Sequence, residues 1–142
     1  KILCNENAIK KLHMFPSLHA LQCEHNLLKT IPICPLLSEL TCSYNKIRKI
    51  PTLGLEYLVC SHNKIKRLPF LSQLQYLDCA GNKITYIPYY HKIDRIMCNY
   101  VDGTEIDKKY MQNFKISMSI SNSFANKIYE KRACLEFTLI PT

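Results

Sequence analysis

Residues 55–69 read LEYLVCSHNKIKRLP, and residues 74–88 repeat the same pattern as LQYLDCAGNKITYIP. Six cysteines mark this pattern along the chain, because they stand 19, 19, 18, 19 and 19 residues apart, each two residues after an isoleucine or a leucine. They are Cys4, Cys23, Cys42, Cys60, Cys79 and Cys98. Self-similarity at a short fixed period is the signature of a repeat protein. Function is therefore expected on a surface rather than in a pocket.

The other positions of the unit recur in the same register. Each of the first five cysteines is followed three residues later by an asparagine: Asn7, Asn26, Asn45, Asn63 and Asn82. The Leu-x-Cys alternation predicts a very short strand with one apolar face, which a single unit cannot bury by itself. Stacked units bury it by forming a parallel sheet on one side and arcs on the other. We expect each asparagine side chain to bind backbone groups of the unit alongside, and proline to end most arcs.

With these columns the sequence resembles the short leucine-rich repeats, of about nineteen residues, over Lys1 to Val101. The resemblance implies an α/β-type repeat solenoid that is curved, with a parallel sheet on its concave side and largely irregular convex arcs. It also implies a usual role in binding other macromolecules. Cysteine stands where this family more often has leucine or valine, which we interpret as a packing variant.

The asparagine column ends at Val101, so we divide the chain into a solenoid of about five to six units over residues 1–101 and a segment over 102–142. We predict that this segment is a mixed α/β cap, with the start of a further domain as the alternative. Because the chain opens at Lys1 with no capping unit, we expect it to be part of a longer or processed protein.

Within the segment, Ile106, Tyr110 and Phe114 have the four-residue spacing of a short helix. Within residues 116–120, apolar residues alternate with serines, which favours a strand, although the stretch also fits one face of a helix. A helix is preferred after Ser123, and the apolar residues 134–140 resemble a strand.

The cysteines are predicted to be reduced and the protein to be intracellular, cytoplasmic or nuclear. A ladder of cysteines inside a core fits disulfide geometry poorly, and no pair has the close spacing of a structural zinc site. Cys34 and Cys134 lie outside the ladder and are candidate free thiols. No metal or cofactor is predicted, and no apolar run approaches the ~18 residues of a membrane span.

Charge is segregated within the unit. All six acids of the first 101 residues lie between the first leucine and the asparagine of their unit, where tyrosines also gather. Tyrosine is typical of protein-binding surfaces, so we predict a tyrosine-rich, mildly acidic concave face that binds a protein partner. The predicted contacts are Glu39, Tyr44, Tyr57, His62, Tyr76, Asp78, Arg95 and Tyr100.

Ten of the thirteen bases of the repeats follow the asparagine by one, three or four residues. We name the central ones the basic ridge: Lys46, Arg48, Lys49, Lys64, Lys66, Arg67 and Lys83. With a net charge of +8, the ridge is a candidate surface for nucleic acid or another polyanion. The alternative is a solvated fringe that keeps the solenoid in solution.

The predicted function is a non-enzymatic interaction module. With only three glycines the chain has no phosphate-cradling loop. One alternative is a nucleic-acid-associated or structural protein that uses the basic ridge. A second is the substrate-recognition part of a ubiquitin ligase, although Cys134-Leu135-Glu136 lacks the Cys-x-Asp pattern of the bacterial ligases that carry such repeats. The low-glycine cysteine ladder also resembles repeats of large DNA viruses, which admits a role in a virus particle. The oligomeric state is not predicted.

Overall fold

The computed structural model describes residues 1–100, 105–106, 114–120 and 133–141, with side chains through Cys98. All regular elements in these residues are strands. They are β1 (Ile2–Leu3), β2 (Ala20–Gln22), β3 (Glu39–Thr41), β4 (Tyr57–Val59), β5 (Tyr76–Asp78), β6 (Tyr86–Ile87), β7 (Arg95–Tyr100), β8 (Glu105–Ile106), β9 (Phe114–Ile120) and β10 (Ala133–Pro141).

Eight of these strands form one sheet in the order β1-β2-β3-β4-β5-β7-β10-β9. The repeat strands β1 to β5 and β7 are parallel and in register, so that Leu40 pairs with Leu21 on one side and Leu58 on the other. The sheet confirms the predicted solenoid, because each repeat contributes one short strand and returns through an arc to the next.

The core lies between this sheet and the arcs. In β2 to β5 and β7 the repeat leucine or isoleucine is buried, and so is the cysteine that follows it two residues later; the five apolar residues are Leu21, Leu40, Leu58, Leu77 and Ile96. Cys4, in the first unit, is only partly buried. The cysteine column therefore acts as a set of small buried side chains in the core.

The arcs add further buried columns. One of them joins Cys34 with Leu53, Leu71 and Tyr90, all nine-tenths or more buried. Cys34 is a free thiol outside the strand ladder, as predicted, and it is also buried, because this arc position recurs with the same period as the strand residues. Tyr90 fits the column because its hydroxyl donates to the Pro69 carbonyl at 2.9 Å.

Four of the five asparagines bind a neighbouring unit as predicted, whereas Asn7 donates to the Cys4 and Asn5 carbonyls of its own unit. Asn45 donates to the carbonyls of Cys23 and Cys42, at 2.9 and 3.1 Å, and its Oδ1 accepts the Leu28 N–H at 2.9 Å. Asn26, Asn63 and Asn82 repeat this arrangement. The ladder joins each unit to the one before it with bonds that the buried backbone would otherwise lack.

The strands after the repeats correct part of the prediction. The proposed helix through Ile106 and Phe114 is wrong, because these residues lie in β8 and β9. β9 confirms the strand that period-two alternation predicted over 116–120. β10 confirms the strand predicted over 134–140. The helix predicted after Ser123 falls outside the described residues, and the division at residue 101 stays a prediction.

The arcs are irregular, as predicted, apart from β6. Its two residues pair in parallel with β8, with Ile87 opposite Ile106. This second sheet was not predicted, since its partner strand lies beyond the last repeat.

Candidate functional site

One row of side chains crosses the outer face of the sheet, the predicted concave face, at the first residues of β3, β4, β5 and β7. Register pairs Glu39 with Tyr57, Tyr57 with Tyr76, and Tyr76 with Arg95. The rings of Tyr57 and Tyr76 stack with their centroids 4.5 Å apart and their planes 11° from parallel. The short repeat thus turns two tyrosines nineteen residues apart into one aromatic surface.

Four of the predicted contacts, Glu39, Tyr57, Tyr76 and Arg95, line one open cleft of about 510 Å³. The remaining lining residues are Glu56, Gln75 and Asp94. Glu56 and Asp94 were not among the predicted contacts, although both belong to the acids of the predicted concave face. Three carboxylates and one guanidinium therefore surround the tyrosine pair.

Asp78 lies on the next row and has an internal role. Its Oδ2 accepts the Ser61 hydroxyl at 3.1 Å, and its Oδ1 accepts the Ala80 N–H at 3.1 Å. The Ser61 hydroxyl in turn lies 3.1 Å from that of Ser43. Because both carboxylate oxygens accept hydrogen bonds from the protein, Asp78 is better suited to holding the strand ends together than to contacting a partner.

Tyr44 and His62 come together in a separate feature, which we name the aromatic column: His25, Tyr44 and His62. The Tyr44 ring stacks on His25 at 4.3 Å and on His62 at 4.4 Å between centroids. All three residues have φ between 52° and 55°, in the left-handed region that side chains rarely adopt. The turns after β2, β3 and β4 need this backbone conformation. Because the same conformation recurs in each turn, the three side chains stack one above another.

Tyr100 ends β7, where its backbone pairs with Ala133. Its side chain lies outside the described part of the structure. Its predicted contact therefore stays a prediction.

Six of the seven basic-ridge residues line a single groove of about 920 Å³, which we name the basic groove. The six are Arg48, Lys49, Lys64, Lys66, Arg67 and Lys83. Ile50, Leu68 and Pro69 complete the lining, and it includes no carboxylate. Lys46 does not line the groove. The sequence predicted a ridge of basic residues. In the structure, three consecutive arcs place six of these residues around one groove.

The thiols of the cysteine ladder are held in their neutral form. Burial raises the pKa of Cys23 to about 12, with smaller contributions from Cys4 and Glu24. Burial likewise raises the pKa of Cys42 and Cys60 well above the ordinary value. Because the thiolate is the nucleophile and the metal ligand, these cysteines are poorly suited to either role.

In the part of the chain that the structure describes, no group of three or more His, Cys, Asp or Glu side chains could hold a metal ion. The same part of the chain contains no helix with the length and apolar character needed to cross a bilayer.

The architecture defines a solenoid of short parallel strands and irregular arcs joined by an asparagine ladder. Residues 54–91, which contain both units quoted at the outset, match the family model described as Leucine Rich repeats (2 copies). This match and the solenoid together support a leucine-rich-repeat family for the repeats, and leucine-rich-repeat domains generally mediate protein–protein interaction. Neither the comparison with curated proteins nor that with solved structures gave a match.

Proposed function

We propose that this protein is a non-enzymatic interaction module that binds a protein partner through its concave face. The observation that carries the proposal is the stacked pair Tyr57 and Tyr76 in an open cleft. Tyrosine provides a large contact area with few rotatable bonds, so that its ordering on binding costs little. A stacked pair is ordered before the partner arrives, which lowers that cost further.

The surroundings of the pair indicate the chemistry of the partner. Glu39, Glu56 and Asp94 outnumber Arg95 in the lining of the cleft. A lysine or arginine of the partner gains from these carboxylates and from the faces of the tyrosine rings. We therefore propose a partner segment that presents a basic side chain next to apolar or aromatic ones.

The proposal is tested by replacing Tyr57 and Tyr76 together with alanine. Partners captured from cell lysate by the intact domain and by the double variant are compared by mass spectrometry, and the affinity of the captured protein is then measured after purification. We expect the double variant to lose at least about tenfold in affinity, because tyrosines in the centre of an interface are frequent hot spots.

Tyr86→Ala is the matched control, since Tyr86 is an exposed tyrosine of β6, away from the concave sheet. It is expected to retain binding. A partner whose affinity is unchanged by the double variant contradicts the proposal. Raising the salt concentration adds a second reading, since contacts made mainly by tyrosine survive moderate salt better than contacts made by the basic ridge.

A further inference from the structure

The basic groove concentrates charge of one sign. Its six bases come from three consecutive arcs and stand in shared columns: Arg48 beside Lys66, Lys49 beside Arg67, and Lys64 beside Lys83. Neighbouring units of a parallel sheet are about 4.8 Å apart, so column mates are close enough to repel one another. Acids placed between them would relieve this repulsion, yet all the acids of the repeats lie in or beside the strands. If the bases served only to keep the solenoid in solution, nothing would require the acids to be kept apart from them.

The floor of the groove is apolar. Ile50 is 5% exposed, and Leu68 and Pro69 are half-buried beneath the charged side chains. A sugar-phosphate backbone gains little from aliphatic side chains, and the lining offers no aromatic ring on which a nucleic-acid base would stack. A peptide that carries both acidic and apolar side chains matches the rims and the floor together.

We propose that the basic groove binds an acidic peptide segment with an apolar residue at its centre. The apolar residue lies on Leu68 and Pro69, and the flanking carboxylates meet the bases from Arg48 to Lys83. This site is separate from the tyrosine cleft, so the two surfaces provide for two partners of opposite charge. The proposal does not depend on the proposed function of the concave face.

The test is fluorescence anisotropy with three probes. The first is a short fluorescein-labelled peptide of Glu and Asp with a central Leu, the second is the same peptide with Asn in place of the Leu, and the third is a short labelled DNA duplex. We expect the first peptide to bind most tightly and to weaken as salt is added, since exposed charge pairs are screened. Replacing its Leu with Asn is expected to cost about tenfold in affinity, because the floor then gains no apolar contact.

Charge reversal locates the site on the protein. The double variant Lys64→Glu with Arg67→Glu is expected to lose at least about tenfold in affinity for the first peptide. The matched control is Lys10→Glu with Lys29→Glu, which changes two exposed bases that stand in the column of Arg48 and Lys66 but outside the groove lining. It is expected to retain affinity within about twofold. Tyr57→Ala with Tyr76→Ala is expected to leave peptide binding intact, which separates this site from the concave face.

Each other outcome overturns the proposal. Tighter binding of the duplex than of either peptide makes the groove a nucleic-acid site. Equal affinity for the two peptides removes the role of the floor, and equal loss in the two charge-reversal variants removes the role of the groove. Light scattering at low salt tests a second copy as occupant: a dimer that Lys64→Glu with Arg67→Glu abolishes assigns the groove to the acidic face of another protomer.

Discussion

Asn63 joins two repeats with a single side chain. Its Nδ2 donates to the carbonyls of Cys42, Cys60 and Ser61 at 2.9, 3.1 and 3.2 Å, and its Oδ1 accepts the Ile47 N–H at 2.9 Å. Three of these groups belong to buried backbone that forms no sheet hydrogen bond at that point. The side chain is therefore a requirement of the repeat rather than one contact among many.

Replacing Asn63 with alanine is expected to lower the free energy of unfolding by about 1–3 kcal/mol, because the buried Ile47 N–H loses its acceptor and the Cys42 and Cys60 carbonyls each lose one of two donors. Urea unfolding followed by circular dichroism measures the change. Asn7→Ala is the control, since Asn7 is exposed and binds only the nearby Cys4 and Asn5 carbonyls. It is expected to cost less than about 0.5 kcal/mol. Equal losses in the two variants contradict the role of the ladder.

Gly81 ends the aromatic column. It has φ +67°, and a Cβ placed on it would lie 2.7 Å from Nδ1 of His62. The Gly81→Ala variant is therefore expected to displace the His62 ring from Tyr44 and to lower the free energy of unfolding by about 1–2 kcal/mol.

Thermal unfolding of Gly81→Ala measures the loss, and the NMR chemical shifts of the His62 ring report the displacement. Gly54→Ala is the control, because Gly54 has no atom within 4 Å of an added Cβ. Stability unchanged in Gly81→Ala, or an unmoved His62 ring, contradicts the prediction.

The cysteine ladder makes the strands sensitive to alkali. Both the folded and the unfolded chain keep their thiol protons below pH 9.0, the ordinary pKa, so these groups add no pH dependence there. Above it the unfolded chain releases protons first, because burial raises the pKa of Cys23 to about 12 and raises those of Cys42 and Cys60 well above the ordinary value. Stability therefore falls as the pH rises above 9.

Urea unfolding between pH 8 and about pH 9.5 tests this at values where lysine and tyrosine are still largely protonated. The expected slope is at most about 1.4 kcal/mol for each pH unit and each buried thiol. Cys42→Ala is expected to be less stable at every pH, from lost packing, but to show a smaller slope. An unchanged slope in Cys42→Ala would mean that other groups cause the alkaline loss.

Strand and arc positions could be predicted because the period repeats the same physical requirement in every unit. The Leu-x-Cys pattern gave the strands, and the asparagine column gave the ladder. The aromatic column was missed because non-glycine residues such as Tyr44 rarely adopt a positive φ; the one signal was Gly81, which stands at the same position of its unit. The helix prediction failed at Ile106 and Phe114 because their spacing fits a helical period by chance, whereas each of the two residues pairs with a strand far along the sequence.

At the scale of the whole molecule, stacking converts a charge pattern within one unit into two long surfaces. The window before each asparagine becomes a concave row with the acids Glu39, Glu56 and Asp94, and the positions after it become the basic groove. Neither surface exists in a single repeat. The same repetition that stabilises the core therefore also brings like charges together in the groove.

Bringing like charges together predicts a particular salt dependence of stability. The groove bases repel one another more in the folded solenoid than in the unfolded chain, so screening by NaCl is expected to raise the melting temperature by about 2–4 °C, equivalent to roughly 1 kcal/mol. The Lys64→Glu variant places a carboxylate among the remaining bases. It is expected to melt higher than the parent at low salt and to gain less from added NaCl, as followed by circular dichroism. Lys10→Glu, outside the groove lining, keeps the salt dependence of the parent if the repulsion is local to the groove. A Lys64→Glu variant with the full salt dependence would instead assign the effect to the net charge of +8 as a whole.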